Sequence, residues 1–359
     1  MKKKIIFYIP SIEGGGVEKN LYLLTKYLPR LIGKIYIITA NKKNNNSRNI
    51  RYVCPNSNYW SKKNRTVKNI ICIYLLIKNF WSSRVVILSF QSNVTSIIIS
   101  KILGFRVLVR LNTSLKKYLN NFLRKIIFKF FYSLSDIIIV NSKFFQKELK
   151  EINLRSHLIY NLNFNKKKKK RLDFFNKFKG LKILNIGRLT DQKDQLTLVR
   201  SLDILKKKNI NFRCCIIGRG VLKSILLSEI KRLNLEKSIK LVGFKNHAEQ
   251  YISQSDIFVL SSKYEGLPNV LIESQKYTVP IISSNCPTGP KEILINGKLG
   301  GLFPVGNYKV LANQLIDFSQ NKKALKLKSI DAKKYLKRFD PIMNSKKYSE
   351  LILKEYEKV

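Results

Sequence analysis

The chain has 359 residues, with 69 Lys and Arg against 22 Asp and Glu, a formal charge of +47, and 45% of its residues are apolar. That apolar share fills two domain cores of ordinary size and excludes a disordered polycation or a histone-like tail. The charge leaves two explanations open: a surface for phosphate-rich partners, or a compositional drift in which Lys and Asn fill indifferent surface positions, as in NKKNNN at 41–46.

From the N-terminus, the charged stretch 1–4 and the apolar stretch 5–9 are too short together for a signal peptide, so 4–9 is predicted as the first strand. Further strands are predicted at 35–39, 85–90, 106–111 and 137–141, with helices at 17–28 and 115–134 between them. The segment 165–180 (NKKKKKRLDFFNKFKG) lacks regular apolar spacing and reads as a solvated linker. Strands resume at 182–186, 213–217, 240–242, 256–260 and 279–283, and a final helix runs from 341 to 359.

Short apolar runs alternating with amphipathic stretches are the pattern of βαβ units, and here the pattern occurs twice. The expected fold class is α/β, with two Rossmann-like domains. The expected boundaries are 1–164, a linker at 165–179, a second domain at 180–335, and 336–359 returning to the first. No apolar run approaches the roughly 18 residues of a membrane span. The five cysteines are odd in number and form no C-x-x-C pair, which argues against a disulfide framework and a zinc site and fits a reducing cytoplasm. His157 and His247 lie too far apart in sequence to form a histidine metal motif.

Ligands of open α/β sheets bind beyond the carboxyl ends of the strands, so the chemistry is expected in those loops and in a cleft between two facing domains. The segment 261–275 (SSKYEGLPNVLIESQ) follows a strand and opens a helix. Gly266 permits close backbone approach, Pro268 suits a first helical turn, and the N–H groups of Asn269, Val270 and Leu271 form a start suited to phosphate. Glu265 and Glu273 flank this start. They suit a general acid and base, a grip on hydroxyls at two places on a sugar nucleotide, or a helix border and a solvated charge. In 185–194 (NIGRLTDQKD), Gly187 and Arg188 end a strand and Lys193 stands near the next helix start. Two cations so placed suit a diphosphate leaving group.

Three glycines, Gly14, Gly15 and Gly16, separate the first strand from the first helix. The G-x-G-x-x-G pattern fails because Lys19 holds its third position, and no acid ends the next strand at Ala40 and Asn41, which lowers the case for NAD. A G-x-x-x-x-G-K-[ST] loop is absent.

Taken together, Gly14 to Gly16, Gly187-Arg188 with Lys193, Gly218-Arg219-Gly220, and Glu265-Gly266-Leu267 through Glu273 resemble a GT-B glycosyltransferase of the retaining family 4 type. The similarity is strongest over 243–306, including NCPTGPKEIL at 285–294, and weakest over 41–81. The resemblance implies transfer of a sugar from a nucleotide diphosphate, with retained configuration, no metal and no agreed protein nucleophile, a front-face reaction being the usual proposal. It assigns Arg188 and Lys193 to the diphosphate. Glu265 with the backbone of Gly187, Gly266, Leu267, Pro268, Asn269 and Val270 would contact the donor, and Glu273 the ribose. On the acceptor side it implies Gly15, Gly16, Arg110 and Asn112; many relatives carry a Glu before the Arg-Asn pair where this chain has Val109-Arg110-Leu111-Asn112. Glu18 is either an acid of the glycine-rich loop or a simple helix-start charge.

The run CPTGPKEIL at 286–294 and the pair SFQSN at 89–93 with RLN at 110–112 are similar to enzymes that extend lipid-linked glycans for surface polysaccharide, O-antigen, capsule or protein glycosylation. The resemblance therefore implies a UDP-sugar donor and a polyprenyl-pyrophosphate-linked acceptor. An anionic membrane partner at the inner face of the cytoplasmic membrane follows. The stretch 115–134 mixes Lys116, Lys117, Arg124, Lys125 and Lys129 with large apolar residues at helical spacing, as a helix on an anionic bilayer does, and as a core helix with a basic outer face also does. Lys62, Lys63, Arg65 and Lys68 form a second basic cluster. A nucleotide-sugar epimerase of the same fold is the enzyme alternative. A nucleic-acid-binding protein is the alternative from charge alone, and the scattered basic residues match no known binding motif for it, so no nucleic-acid partner is expected.

Overall fold

In a computed structural model, residues 4–12, 15–43, 46–112, 121–163, 173–246 and 248–358 are described. They divide into two units, one formed by Met1–Asn163 with Phe339–Val359, the other by Phe164–Arg338. The first unit contains β1 (Lys4–Tyr8), α1 (Gly16–Tyr27), α2 (Pro29–Ile32), β2 (Ile35–Ile38), β3 (Ile50–Val53), α3 (Arg65–Phe80) and β4 (Val85–Ser89). It continues with α4 (Asn93–Ile102), β5 (Arg106–Leu111), α5 (Phe122–Ser133), β6 (Ile137–Val140), α6 (Lys143–Lys150) and β7 (His157–Leu158).

Its sheet has the order β3-β2-β1-β4-β5-β6-β7, and every pairing is parallel. The central strands IIFY, VVILS and IIIV are continuous apolar runs because both sheet faces are covered. One face is packed by Cys72, Leu76 and Phe80 of α3, Ile97 of α4, Tyr132 of α5, and Phe145 and Leu149 of α6. The stretch expected as a helix over 115–134 is observed as α5 from Phe122 onward, and residues 113–120 lie outside the described ones.

The second unit begins before its first strand. Phe174, Phe175 and Phe178, within the segment expected to be a solvated linker, pack onto it instead: Phe175 is buried, and the Arg213 guanidinium lies 4.9 and 4.6 Å from the rings of Phe174 and Phe178. Aromatic burial and cation–π contact outweigh the charge of the preceding lysines there. Then follow β8 (Leu181–Ile186), α7 (Gln195–Lys207), β9 (Phe212–Ile217), α8 (Lys223–Arg232), β10 (Ile239–Gly243), β11 (Ile257–Leu260) and α9 (Asn269–Lys276). The unit ends with β12 (Ile281–Ser284), α10 (Gly289–Ile293), β13 (Gly301–Phe303), α11 (Tyr308–Gln320) and α12 (Lys323–Asp331).

The sheet order is β10-β9-β8-β11-β12-β13, again all parallel. The chain runs outward one way from β8, then returns to its other side with β11, so β8 and β11 form the topological switch point. Asn185 fixes the pair by donating from Nδ2 to the Val259 carbonyl at 2.9 Å.

After α12 the chain returns to the first unit as α13 (Pro341–Tyr356). Asp340 caps it by accepting from the Met343 N–H at 2.8 Å, and Tyr348 and Ile352 are fully buried against α1, β4 and β5. Among the described residues no helix is long and apolar enough to cross a membrane.

Candidate functional site

Three loops of the second unit, following β8, β11 and β12, converge at the switch point. After β8 the Gly187 N–H donates to Ile217 and the Leu189 N–H to Arg219, each at 3.0 Å, which holds the loop against the end of β9. Gly218 and Gly220 allow this approach: a Cβ on either would overlap the carbonyl oxygen of Gly187 or Leu189. Gln195 then donates from Nε2 to the Arg188 carbonyl at 3.0 Å, leaving the Arg188 side chain exposed with Nη2 3.3 Å from Gln192 Oε1. Asp194 closes the loop in a left-handed conformation (φ 45°) and caps α7 by accepting from Thr197.

The loop after β11 is laced to this one. Ser261 Oγ donates to the Lys193 carbonyl at 3.0 Å, the Lys263 N–H to Gln192 at 2.9 Å, and Gln192 Nε2 to the Tyr264 carbonyl at 3.0 Å. Lys263 and Asp191 pair at the surface. Below them Lys193 Nζ pairs with Glu265 Oε1, with side-chain exposures of 15% and 7%. Ser262 Oγ donates to the same Glu265 oxygen at 2.6 Å.

The third loop props the second from behind. Thr288 donates its hydroxyl to the Glu265 carbonyl, and the Gly289 N–H donates to Gly266 at 2.8 Å. Cys286 is buried beside the pair; burial pushes its thiol up to about 12, and the Glu265 carboxylate pushes in the same direction. It therefore stays protonated at neutral pH.

Leu267 and Pro268 are buried, and Asn269 and Val270 open α9. Pro268 is the N-cap residue rather than part of the first turn, and it supplies no side-chain cap. The helix start thus combines a positive dipole end with the nearby Lys193 and Arg188, an arrangement suited to an anion. Glu273 lies in the second turn of α9 and is buried, not a solvated charge. The structure therefore brings Gly187, Arg188, Lys193, Glu265, Gly266 and the start of α9 together, with Glu273 on the same helix.

The acceptor-side candidates lie in the first unit. Gly15 is the N-cap of α1 and Gly16 its first residue; a Cβ on Gly15 would come within 3.0 Å of Glu18 Oε2. Glu18 is buried in the first turn, where the helix dipole favours a carboxylate. Gly14 and His247 lie outside the described residues. Arg110 is enclosed, donating from Nη2 to Asn161 at 2.6 Å with its guanidinium 5.9 Å from the Phe90 ring, and Asn112 donates to the Phe90 carbonyl at 3.1 Å. Lys62, Lys63, Arg65 and Lys68 do not act as one cluster. Lys68 donates to Ser11 Oγ at 2.9 Å and Arg65 to Ser92 Oγ at 3.3 Å, while Lys63 lies over the Tyr59 ring.

Gln192, Ser262 and Thr288 complete the site and were not legible as site residues. All three fall inside runs noted for other residues, and no spacing marks any of them: Gln192 and Thr288 find their partners Tyr264 and Glu265 in another loop, and Ser262 reaches Glu265 only through the local turn.

Residues 166–335 match the family described as Glycosyl transferases group 1. These residues, just under half of the chain, are similar to that family. An uncharacterized glycosyltransferase of Methanocaldococcus jannaschii is 35% identical over 198 residues, 51% of this chain and 48% of that protein. The N-acetylgalactosamine-N,N'-diacetylbacillosaminyl-diphospho-undecaprenol 4-alpha-N-acetylgalactosaminyltransferase of Campylobacter jejuni is 29% identical over 236 residues, 64% of this chain and 63% of that protein. The matched stretches thus span less than two thirds of either relative. The crystal structure of Anabaena HepE in complex with UDP-glucose is similar over 98% of this chain and 99% of that one, with a TM-score of 0.77 at 17% identity. That likeness extends beyond residues 166–335 to both units, and the fold is the GT-B plan of two parallel-sheet Rossmann-like units.

Proposed function

We propose that the protein is a retaining glycosyltransferase. It moves a hexose or N-acetylhexosamine from a UDP-sugar to a lipid-linked saccharide at the cytoplasmic face of a membrane, in the assembly of a surface polysaccharide or glycan. The observation that carries this reading is the Lys193–Glu265 pair, held beside Arg188 where three loops meet in the group 1 domain. The activity named for the Campylobacter relative supports the lipid-linked acceptor, and the UDP-glucose of the Anabaena structure supports the donor class.

In this mechanism Arg188 and Lys193 hold the diphosphate, with the start of α9 adding its dipole. Negative charge grows on the departing phosphate oxygen as the bond to the anomeric carbon breaks, and these groups stabilise that charge. Glu265 and the backbone of Gly266 to Val270 orient the sugar, and Glu273 binds the ribose. The acceptor hydroxyl attacks the anomeric carbon from the face the phosphate leaves. Its proton passes to the departing phosphate oxygen, so configuration is retained and neither a metal nor a protein nucleophile takes part.

The test is incubation with a panel of nucleotide sugars and polyprenyl-pyrophosphate glycans, with product masses and anomeric configuration read out in the presence and absence of a chelator. A mass gain of one sugar on the acceptor, retained configuration and insensitivity to chelator are expected. Conversion of a UDP-sugar without an acceptor would replace the transferase with an epimerase.

A further inference from the structure

Helix α5 is poorly explained by the fold it belongs to. Of its twelve residues only Tyr132 is buried, although Phe128 packs partly on the core. Phe122, Leu123, Ile126, Ile127 and Phe130 stand exposed, from 49% at Ile126 to 76% at Phe122. They recur at the spacing of one helical stripe. Arg124, Lys125 and Lys129 are exposed between them. Isolated helices owe most of their stability to packing, so an apolar stripe left in water on a short helix calls for an occupant.

The neighbouring helix α4 repeats the pattern. Val94, Ile98 and Ile102 lie at i, i+4 and i+8 and are all exposed, with Ile102 at 71%. The crossovers β4-α4-β5 and β5-α5-β6 advance across the sheet in one direction, so right-handed connections place both helices on the same sheet face, where they touch. Charge selects the occupant. No Asp or Glu occurs in the sequence between Glu18 and Asp136, so neither helix carries an acidic residue. Asp136 itself is ion-paired with Lys101 and Arg106.

We infer that the α4–α5 face is the docking surface for an anionic lipid bilayer, with the α5 stripe entering the headgroup boundary and Arg124, Lys125 and Lys129 meeting lipid phosphates. Large apolar side chains interleaved with cations on a surface free of carboxylates match such a bilayer in both polarity and sign. This inference deepens the reading of a lipid-borne acceptor by naming the surface that brings the enzyme to it, and it stands on residues remote in sequence from the donor loops.

The test is sedimentation of the full chain with vesicles of phosphatidylcholine alone or mixed with phosphatidylglycerol, with no donor or acceptor present. Binding to the anionic vesicles is expected, weakened but not abolished by salt. Ile126→Asn with Ile127→Asn lowers vesicle affinity by about tenfold or more. Arg124→Gln with Lys125→Gln weakens binding and flattens its salt dependence. Because these positions are exposed, UDP binding and the melting temperature stay as in the parent, which separates failure of docking from failure of the transferase reading. Equal vesicle binding by parent and variants would overturn the inference. So would an absence of binding by the parent, or self-association of the parent that the same substitutions abolish, which would assign the face to a second copy.

Discussion

Lys193 and Glu265 hold each other in place, so each substitution has two effects. Lys193→Met removes a cation and leaves a buried carboxylate uncompensated, whereas Glu265→Gln removes the charge but keeps a polar side chain for Ser262. In the proposed mechanism both variants lose about a hundredfold or more in sugar transfer. Thermal melts should separate them, with Lys193→Met the less stable and the double variant regaining part of that stability while remaining inactive. Transfer rates close to the parent in both single variants would dismiss the site. The two residues were legible because each sits at a recognisable strand-to-helix turn. Ser262 and Thr288 were not: a serine three residues before Glu265 carries no pattern until the β11 loop folds its hydroxyl onto the carboxylate, and the Thr288 bond appears only once the β11 and β12 loops lie side by side.

At the level of elements, close approach of backbones governs the loops after β8 and β9. Gly218→Ala would force the end of β9 away from Gly187, and overpacking of this kind costs about 1–3 kcal/mol. The same displacement moves Arg188, so under the proposed function donor affinity should fall along with the melting temperature. A fall in stability alone would show that the loop tolerates the shift. A second element-level test lies between α7 and α8, where Glu229 bridges Arg232 and Arg200. The bond from Arg232, aided by Arg200 and opposed by burial, holds its carboxyl down at about 2. A carboxyl whose pKa is lower in the folded state adds stability above its unfolded value, near 4.3, and loses it as the pH falls toward the folded one. Glu229→Gln should therefore melt below the parent at neutral pH, and the difference should shrink between about pH 4.5 and pH 2. A pH-independent difference would mean that the bridge is not its source.

The strands of both sheet centres were legible from their apolar runs, and β3, β7 and β13 were not. Each of the three lies at a sheet edge, and they read as IRYV, HL and GLF. Runs so short and mixed owe their strand state to a neighbour already in place, and the chain's own pattern does not record that neighbour. The linker was misjudged for a related reason, because five lysines masked the three phenylalanines that follow them.

On the scale of the whole molecule, the formal charge of +47 divides unevenly along the sequence, with its acid-free stretch confined to the first unit. That unit is also the discontinuous one, since α13 belongs to it but follows the whole of the second unit. Burial of Tyr348, Ile352 and Tyr356 is worth roughly 5–9 kcal/mol, on the scale of a domain's entire stability. Removing 339–359 should therefore leave the first unit open to proteolysis while the second resists it. Equal resistance in both would show that α13 is dispensable.

Synthesis on the ribosome gives this arrangement a temporal meaning. The first unit to emerge cannot be the first to finish: its sheet waits, with the α13 face uncovered, while the second unit is translated and folds as a block. Emergence of α13 and closure of the first core are then a single late event. A protein truncated by premature termination would carry a finished second unit beside an apolar sheet face, the kind of surface that chaperones retain and proteases remove.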